Sequence, residues 1–136
     1  ENAQPAIMAN AIATLRVLER DFGVTLAEHG HCVAGHSLGE YTALAAVGAF
    51  KLADTARLLK LRGWAMQAAV PVGEGTMAVL LGADIEQAKA LAEAAAQGPH
   101  AGGGKLVCEV ANDNDPSQVV LSGHTGAIER AVALTK

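Results

Sequence analysis

The sequence predicts an α/β protein made of two units, and three observations predict this class. Residues 31–48, "HCVAGHSLGEYTALAAVG", join a short apolar run to a Gly-rich turn and then to a helix-favouring run. Apolar residues recur at helical spacing over residues 5–22 and 53–69. Beyond a Pro/Gly loop at 70–75, short apolar runs alternate with further helical patterns.

Composition narrows the function classes. The 136 residues carry a formal net charge of −4 without a basic block, so we expect no nucleic-acid or membrane partner. No apolar run approaches the ~20 residues that span a bilayer. The start, "ENAQPAIMAN", lacks the basic region of a signal peptide, and we expect a cytoplasmic protein. Cys32 and Cys108 lack metal-ligand spacing, so we expect reduced, strand-borne thiols and no metal, with a disulfide as the alternative.

The first unit, residues 1–75, reads as part of an α/β core. Pro5 is suited to the first helical position, and Gly23 and Gly48 are natural helix ends. The predicted helices are residues 5–22, 38–47 and 53–69, and the predicted strand is residues 31–35.

The second unit, residues 76–136, reads as a small α+β subdomain. Its element order, β-α-β-β-α, lacks one strand of the ferredoxin-like plan. Asp84 is placed to cap the first helix. The predicted elements are strand 76–82, helix 84–96, a surface loop at 97–105, strand 106–112, a turn-rich linker, strand 118–123 and helix 125–134. Because the chain opens without a strand and stops within a helical pattern, "ERAVALTK", we expect a segment of a longer protein.

The sequence Gly35-His36-Ser37-Leu38-Gly39 matches the nucleophile elbow, G-x-S-x-G between a strand and a helix, of α/β-hydrolase-like cores. A Cβ at either glycine is expected to collide with neighbouring backbone, and the serine is expected to be strained. The backbone N–H of Leu38 would supply half of an oxyanion hole. The alternative is an ordinary turn in which Ser37 caps the helix.

A nucleophilic serine needs a base, and the sequence does not supply a convincing one. His100 lies in a Gly-rich loop, and His124 lies at a helix start, where a solvated or capping role is the simpler interpretation. His36 adjoins the serine and more plausibly shapes the pocket.

Arg62 falls within the apolar stripe of its predicted helix. An inward guanidinium needs an anion or several acceptors. It therefore either pairs with an acid such as Glu40 or binds a substrate carboxylate. The stripe comprises Leu58, Leu61, Ala65 and Ala69.

Four blocks, "ENAQPAIMAN", "AGHSLGEYTALAAVGAF", "LLKLRGWAMQAAVPVGEGTMAVLLG" and "VANDNDPSQVVLSGHTGAIERA", occur in family order. Together they resemble the malonyl-CoA:acyl carrier protein transacylases of type II fatty-acid synthesis. The resemblance covers almost the whole chain. It implies that Ser37 carries the malonyl ester, Leu38 joins the oxyanion hole and Arg62 binds the malonyl carboxylate, with His36 and Met66 lining the pocket.

The resemblance also implies ping-pong transfer from the coenzyme A thioester to acyl carrier protein, without a cofactor, by a monomer when full length. The family's catalytic histidine would lie beyond residue 136, and its second oxyanion donor before residue 1. Three alternatives stay open: a serine hydrolase or thioesterase of α/β-hydrolase type, the acyltransferase domain of a polyketide synthase, and a non-catalytic binding module.

Overall fold

The computed structural model describes residues 2–97 and 105–135. The chain divides into two compact units, Glu1–Ala69 and Val70–Lys136. Within the described residues, no helix is both long and apolar enough to cross a membrane. The predicted loop at 97–105 lies largely outside the described residues.

The first unit is helical. The three predicted helices are confirmed, and a fourth, short helix that the sequence did not predict is capped by the hydroxyl of Thr25. The first helix starts at Ala3, so Pro5 lies within its first turn, where an N–H has no intrahelical acceptor either. Gly23 ends that helix in the left-handed conformation, with φ 66°. The helices are α1 (Ala3–Phe22), α2 (Leu26–His29), α3 (Leu38–Ala46) and α4 (Leu52–Ala69).

The predicted strand at 31–35 is wrong for this chain. These residues are irregular and pair with no strand among the described residues. A strand exists through its hydrogen-bonded neighbour, and the described residues of the first unit supply none. Consequently Cys32 is not strand-borne, and it is exposed.

The core of the first unit lies between α1, α3 and α4. Met8 and Ile12, one turn apart on α1, are buried against Leu59 of α4. Tyr41 and Ala45 of α3 pack on this cluster. This contact fixes α4 beside the start of α3.

The second unit is a mixed α/β layer with a small antiparallel sheet. All five predicted elements are confirmed, and the sheet order is β1-β3-β2. The predicted linker is partly wrong, because β2 continues to Asp115 through two register shifts and leaves a short turn. The elements are β1 (Gly75–Leu81), α5 (Ile85–Ala96), β2 (Cys108–Asp115), β3 (Gln118–His124) and α6 (Thr125–Leu134).

Two helices cover one face of this sheet. Val119 and Leu121 of β3 are fully buried beneath them. Alanines on α5 and α6 let the helices approach the sheet closely, and they include Ala88, Ala92, Ala95, Ala127 and Ala131. Cys108 is buried in this core as a free thiol, and burial raises its pKa.

A capping box starts α5. The Asp84 carboxylate accepts from the Gln87 N–H at 2.8 Å, and the Gln87 amide oxygen accepts from the Asp84 N–H at 3.0 Å. Both bonds satisfy donors that the first turn of a helix leaves without partners.

We predict that Asp84→Ala lowers the free energy of unfolding by about 1 kcal/mol, because the first turn of α5 loses its acceptor. Asp84→Asn is the matched control, since an asparagine oxygen caps nearly as well. Chemical unfolding of the full-length protein measures both. Equal midpoints for the alanine and asparagine variants would contradict the role of the cap.

Candidate active site

Ser37 has a strained backbone. Its φ of 55° and ψ of −116° make it the one non-glycine residue with positive φ among the described residues. Such strain persists only where surrounding structure enforces it, and it clusters at functional sites. The hydroxyl does not cap α3, so the capping interpretation of Ser37 is wrong.

Gly35 is the glycine that the turn requires. A Cβ built there would lie 2.0 Å from the carbonyl carbon and oxygen of Gly39 and 2.4 Å from the backbone nitrogen of Glu40. The chain therefore passes directly against the first turn of α3. At Gly39 a Cβ meets nothing within 4 Å, so the expectation of a collision there is wrong within this chain.

Leu38 presents its backbone N–H at the start of α3. The next two N–H groups are used: Gly39 donates to the His36 carbonyl at 2.8 Å and Glu40 to the Ser37 carbonyl at 3.3 Å. Within the described part of the chain, the Leu38 N–H has no acceptor. It lies at the positive end of the helix dipole, where developing negative charge is stabilised.

Arg62 contacts the serine directly. Its Nη2 donates to the Ser37 Oγ at 2.9 Å, and its Nη1 donates to the Oε1 of Gln4. The side chain is half-buried on α4. The sequence thus predicted correctly that Arg62 faces inward, but it did not identify Gln4.

The apolar stripe used to orient Arg62 is wrong in detail. In this chain Leu58 and Leu61 are 40% and 59% exposed, and Ala65 and Ala69 are exposed too. The packed face of α4 instead holds Thr55 and Leu59, both fully buried. Arg62 follows them at the helical spacing of seven residues from Thr55, which brings it to the same face.

Arg62 has neutral acceptors. Ion pairs in residues 2–97 and 105–135 join Arg20 to Asp21, Arg57 to Asp54 and Lys89 to Glu86. The pairing of Arg62 with Glu40 that the sequence left open is therefore not formed. Among the described residues, the donors of Arg62 that lie beside the serine therefore meet no carboxylate.

The other predicted pocket residues lie nearby in the chain. Met66, one turn beyond Arg62, is 57% exposed, and its Sδ accepts from the Nε2 of Gln4 at 3.4 Å. His36 is exposed, and its backbone carbonyl accepts the hydrogen bond from the Gly39 N–H.

His124 and His100 follow the serine in the chain, and the structure describes only His124. The Nδ1 of His124 accepts from the Val107 N–H at 2.8 Å, which ties the start of α6 to the segment before β2. His124 occupies the N-cap position of α6, but its half-buried side chain forms no capping hydrogen bond, so the capping interpretation is wrong. His100 lies outside the described residues. In the described ranges no three His, Cys, Asp or Glu side chains are grouped as metal ligands.

We predict that Gly35→Ala destroys the elbow, since its Cβ would displace backbone and not a flexible side chain. The matched control is Gly39→Ala, whose added methyl group meets nothing within 4 Å in this chain. Reaction of Ser37 with a fluorophosphonate probe, together with thermal unfolding, measures both in the full-length protein. Equal loss of labelling in the two variants would contradict the close approach at Gly35.

The acyl transferase domain family model matches residues 1–136. The malonyl CoA-acyl carrier protein transacylase of Escherichia coli (strain K12) is 41% identical over 133 residues, covering 98% of this chain and 40% of that protein.

Two solved structures of malonyl-transferring enzymes are similar to this chain. An acyl-carrier-protein S-malonyltransferase from Bartonella henselae matches with a TM-score of 0.81 and 50% identity, over 98% of this chain and 40% of its own. A malonyl-transacylase in complex with its type II polyketide acyl-carrier protein matches with a TM-score of 0.70 and 37% identity, over 94% of this chain and 38% of its own. The chain spans about 40% of the length of the curated relatives it matches. The resemblance of the four sequence blocks is thereby confirmed, and the chain belongs to the acyl transferase domain family.

Proposed function

We propose that this chain carries the nucleophile and the carboxylate-binding arginine of a malonyl-CoA:acyl carrier protein transacylase. The observation that carries the proposal is the contact of 2.9 Å between the Arg62 Nη2 and the Ser37 Oγ. The names of the E. coli and B. henselae relatives support the same activity.

The short distance between Arg62 and Ser37 favours an acyl group whose carboxylate lies close to its carbonyl carbon. In a malonyl thioester, one methylene separates the carboxylate from the carbonyl carbon that the serine attacks. A guanidinium adjacent to the serine can therefore bind the carboxylate while the carbonyl carbon lies at Ser37. A planar guanidinium offers two parallel N–H donors to a carboxylate, which makes it a suitable group for this recognition.

The chemistry divides into two transfers. The Ser37 Oγ attacks the thioester carbonyl, the C–S bond breaks, and coenzyme A leaves as a thiol that has gained the serine proton. The phosphopantetheine thiol then attacks the malonyl ester, the C–O bond breaks, and Ser37 regains a proton. A general base must mediate both proton transfers. The Leu38 N–H stabilises the oxyanion of each tetrahedral intermediate.

We also propose a fold type for each of the two units. The strained serine between an irregular segment and a helix supports an α/β-hydrolase-like core in the first unit. The antiparallel order β1-β3-β2 with two helices on one face supports a ferredoxin-like plan in the second.

We propose acyl carrier protein as the acceptor. One similar transacylase is seen in complex with a type II polyketide acyl-carrier protein, so the carrier belongs to a fatty-acid or a polyketide system, and we favour the former. A cytoplasmic location, a monomeric full-length protein and the absence of a cofactor stay predictions.

A serine hydrolase is the alternative that shares the elbow. It has no need of a cation at the nucleophile, whereas Arg62 reaches Ser37 with its charge unpaired by any acid in the described chain. The acceptor distinguishes the two functions, because a hydrolase releases free malonate where a transacylase produces malonyl-carrier.

We predict that Ser37 carries the acyl group. Full-length protein incubated with malonyl-CoA alone should gain one malonyl mass on the peptide that contains Ser37, and adding carrier protein should remove it. Mass spectrometry of the digest measures this. Label on another residue, or transfer that survives Ser37→Ala, would contradict the assignment.

We predict that Arg62 selects the carboxylate. Arg62→Ala should lower malonyl transfer by about tenfold to a hundredfold, because a hydrogen bond to a charged group contributes ~1.5–3 kcal/mol. Acetyl transfer should change little. Arg62→Lys should recover only part of the rate, since an ammonium does not form the planar fork.

The matched control for this test is Arg57→Ala on the exposed side of α4. Arg57 pairs with Asp54 at the surface, where such a pair contributes little. Transfer from malonyl-CoA and acetyl-CoA is measured for each variant. An equal fall in both rates for Arg62→Ala would make Arg62 a structural residue.

A further inference from the structure

We propose that Gln4 is a positioning residue that holds the Arg62 guanidinium with a neutral acceptor and so reserves its charge for the substrate carboxylate. This inference rests on the proposed function of Arg62. It concerns a residue on the first turn of α1, distant in sequence from both Ser37 and Arg62.

Gln4 joins two residues of α4 that the family resemblance places at the substrate. Its Oε1 accepts from the Arg62 Nη1, and its Nε2 donates to the Met66 Sδ at 3.4 Å. The side chain is half-buried. Its partners lie one helical turn apart, so the amide spans the same face of α4 on which Arg62 reaches Ser37.

The chemistry of the partners fixes the orientation of the amide. A guanidinium has only donors, so it must meet the Gln4 oxygen, since the amide NH₂ would oppose one donor with another. A thioether sulfur has no donor, so it must meet the NH₂. Both contacts therefore select the same rotation of the side chain.

Holding Nη1 restricts the orientation of the guanidinium. The group is rigid and planar, so an acceptor on one nitrogen limits the positions that the other nitrogen can take. In this structure Nη2 then lies 2.9 Å from the Ser37 Oγ. Gln4 thus acts on the nucleophile's surroundings through Arg62, and it need not touch the substrate.

Gln4 gives Arg62 a neutral acceptor, and the proposal depends on this neutrality. A glutamate at position 4 would reach as far, but it would form an ion pair with Arg62 and compete with the incoming carboxylate. An amide oxygen accepts the same hydrogen bond and leaves the positive charge available. Within residues 2–97 and 105–135, no acid pairs with Arg62.

The test is Gln4→Glu in the full-length protein, with KM and kcat measured for malonyl-CoA and for acetyl-CoA. We expect the KM for malonyl-CoA to rise about tenfold, the value for one lost charge-assisted contact, and acetyl transfer to change less than about twofold. The matched control is Gln67→Glu, which adds the same charge on an exposed position of α4. Gln67→Glu should leave KM and kcat unchanged for both substrates.

A second variant, Gln4→Met, keeps the side-chain length and replaces the amide oxygen with a thioether, which is only a weak acceptor. We expect malonyl selectivity over acetyl to fall here as well, with thermal stability close to that of the wild type. Equal loss of malonyl and acetyl transfer in either variant would show that Gln4 has a purely structural role. An unchanged KM for malonyl-CoA in both variants would show that Gln4 has no role in binding. Either result overturns the proposal. Failure of the proposed function is distinguishable, because the wild-type protein would then show no malonyl preference and no acylated Ser37.

Discussion

The backbone approach between Gly35 and the first turn of α3 is the constraint on which the candidate site depends. The space for a Cβ at Gly35 is filled by the carbonyl group of Gly39 and the nitrogen of Glu40. Only this closeness lets the chain reverse so tightly that Ser37 takes a positive φ at the head of the helix. The strain of Ser37, ordinarily ~1–3 kcal/mol, is held by that packing. The Leu38 N–H is aimed by the same turn, since its residue opens the helix.

Packing of α4 supplies the second half of the site. Leu59 is fully buried against Met8 and Ile12 of α1, and this contact places the next turn of α4 beside the elbow. Arg62 follows on the same face, and Gln4 reaches it from the start of α1. The arrangement therefore needs no loop to position the guanidinium. Two helices fix it, and helix-borne groups are held more tightly than loop-borne ones.

Much of this was readable from the sequence, and the parts that were not have physical reasons. The second unit was predicted element by element because alternation, the Asp84 cap and turn residues all agree there. The strand at 31–35 was wrong because local pattern cannot say whether a pairing neighbour is present. The inward direction of Arg62 was right although its stripe was wrong: periodicity favoured the more apolar Leu58 and Leu61, whereas packing covers Thr55 and Leu59. Gln4 was missed because no spacing rule connects residue 4 with residue 62.

Under the proposed function, the acceptors of Arg62 give a physical reason for a carboxylated acyl group to bind here better than an uncharged one. A half-buried guanidinium has lost part of its hydration, and the amide of Gln4 and the hydroxyl of Ser37 return only neutral hydrogen bonds. A carboxylate offers a stronger, charge-assisted bond to the same donors. It would take the donor that now lies on Ser37 and so leave the Oγ lone pair directed at the neighbouring carbonyl carbon. On this view, recognition of the carboxylate and release of the nucleophile are one event, because both involve the same nitrogen of Arg62.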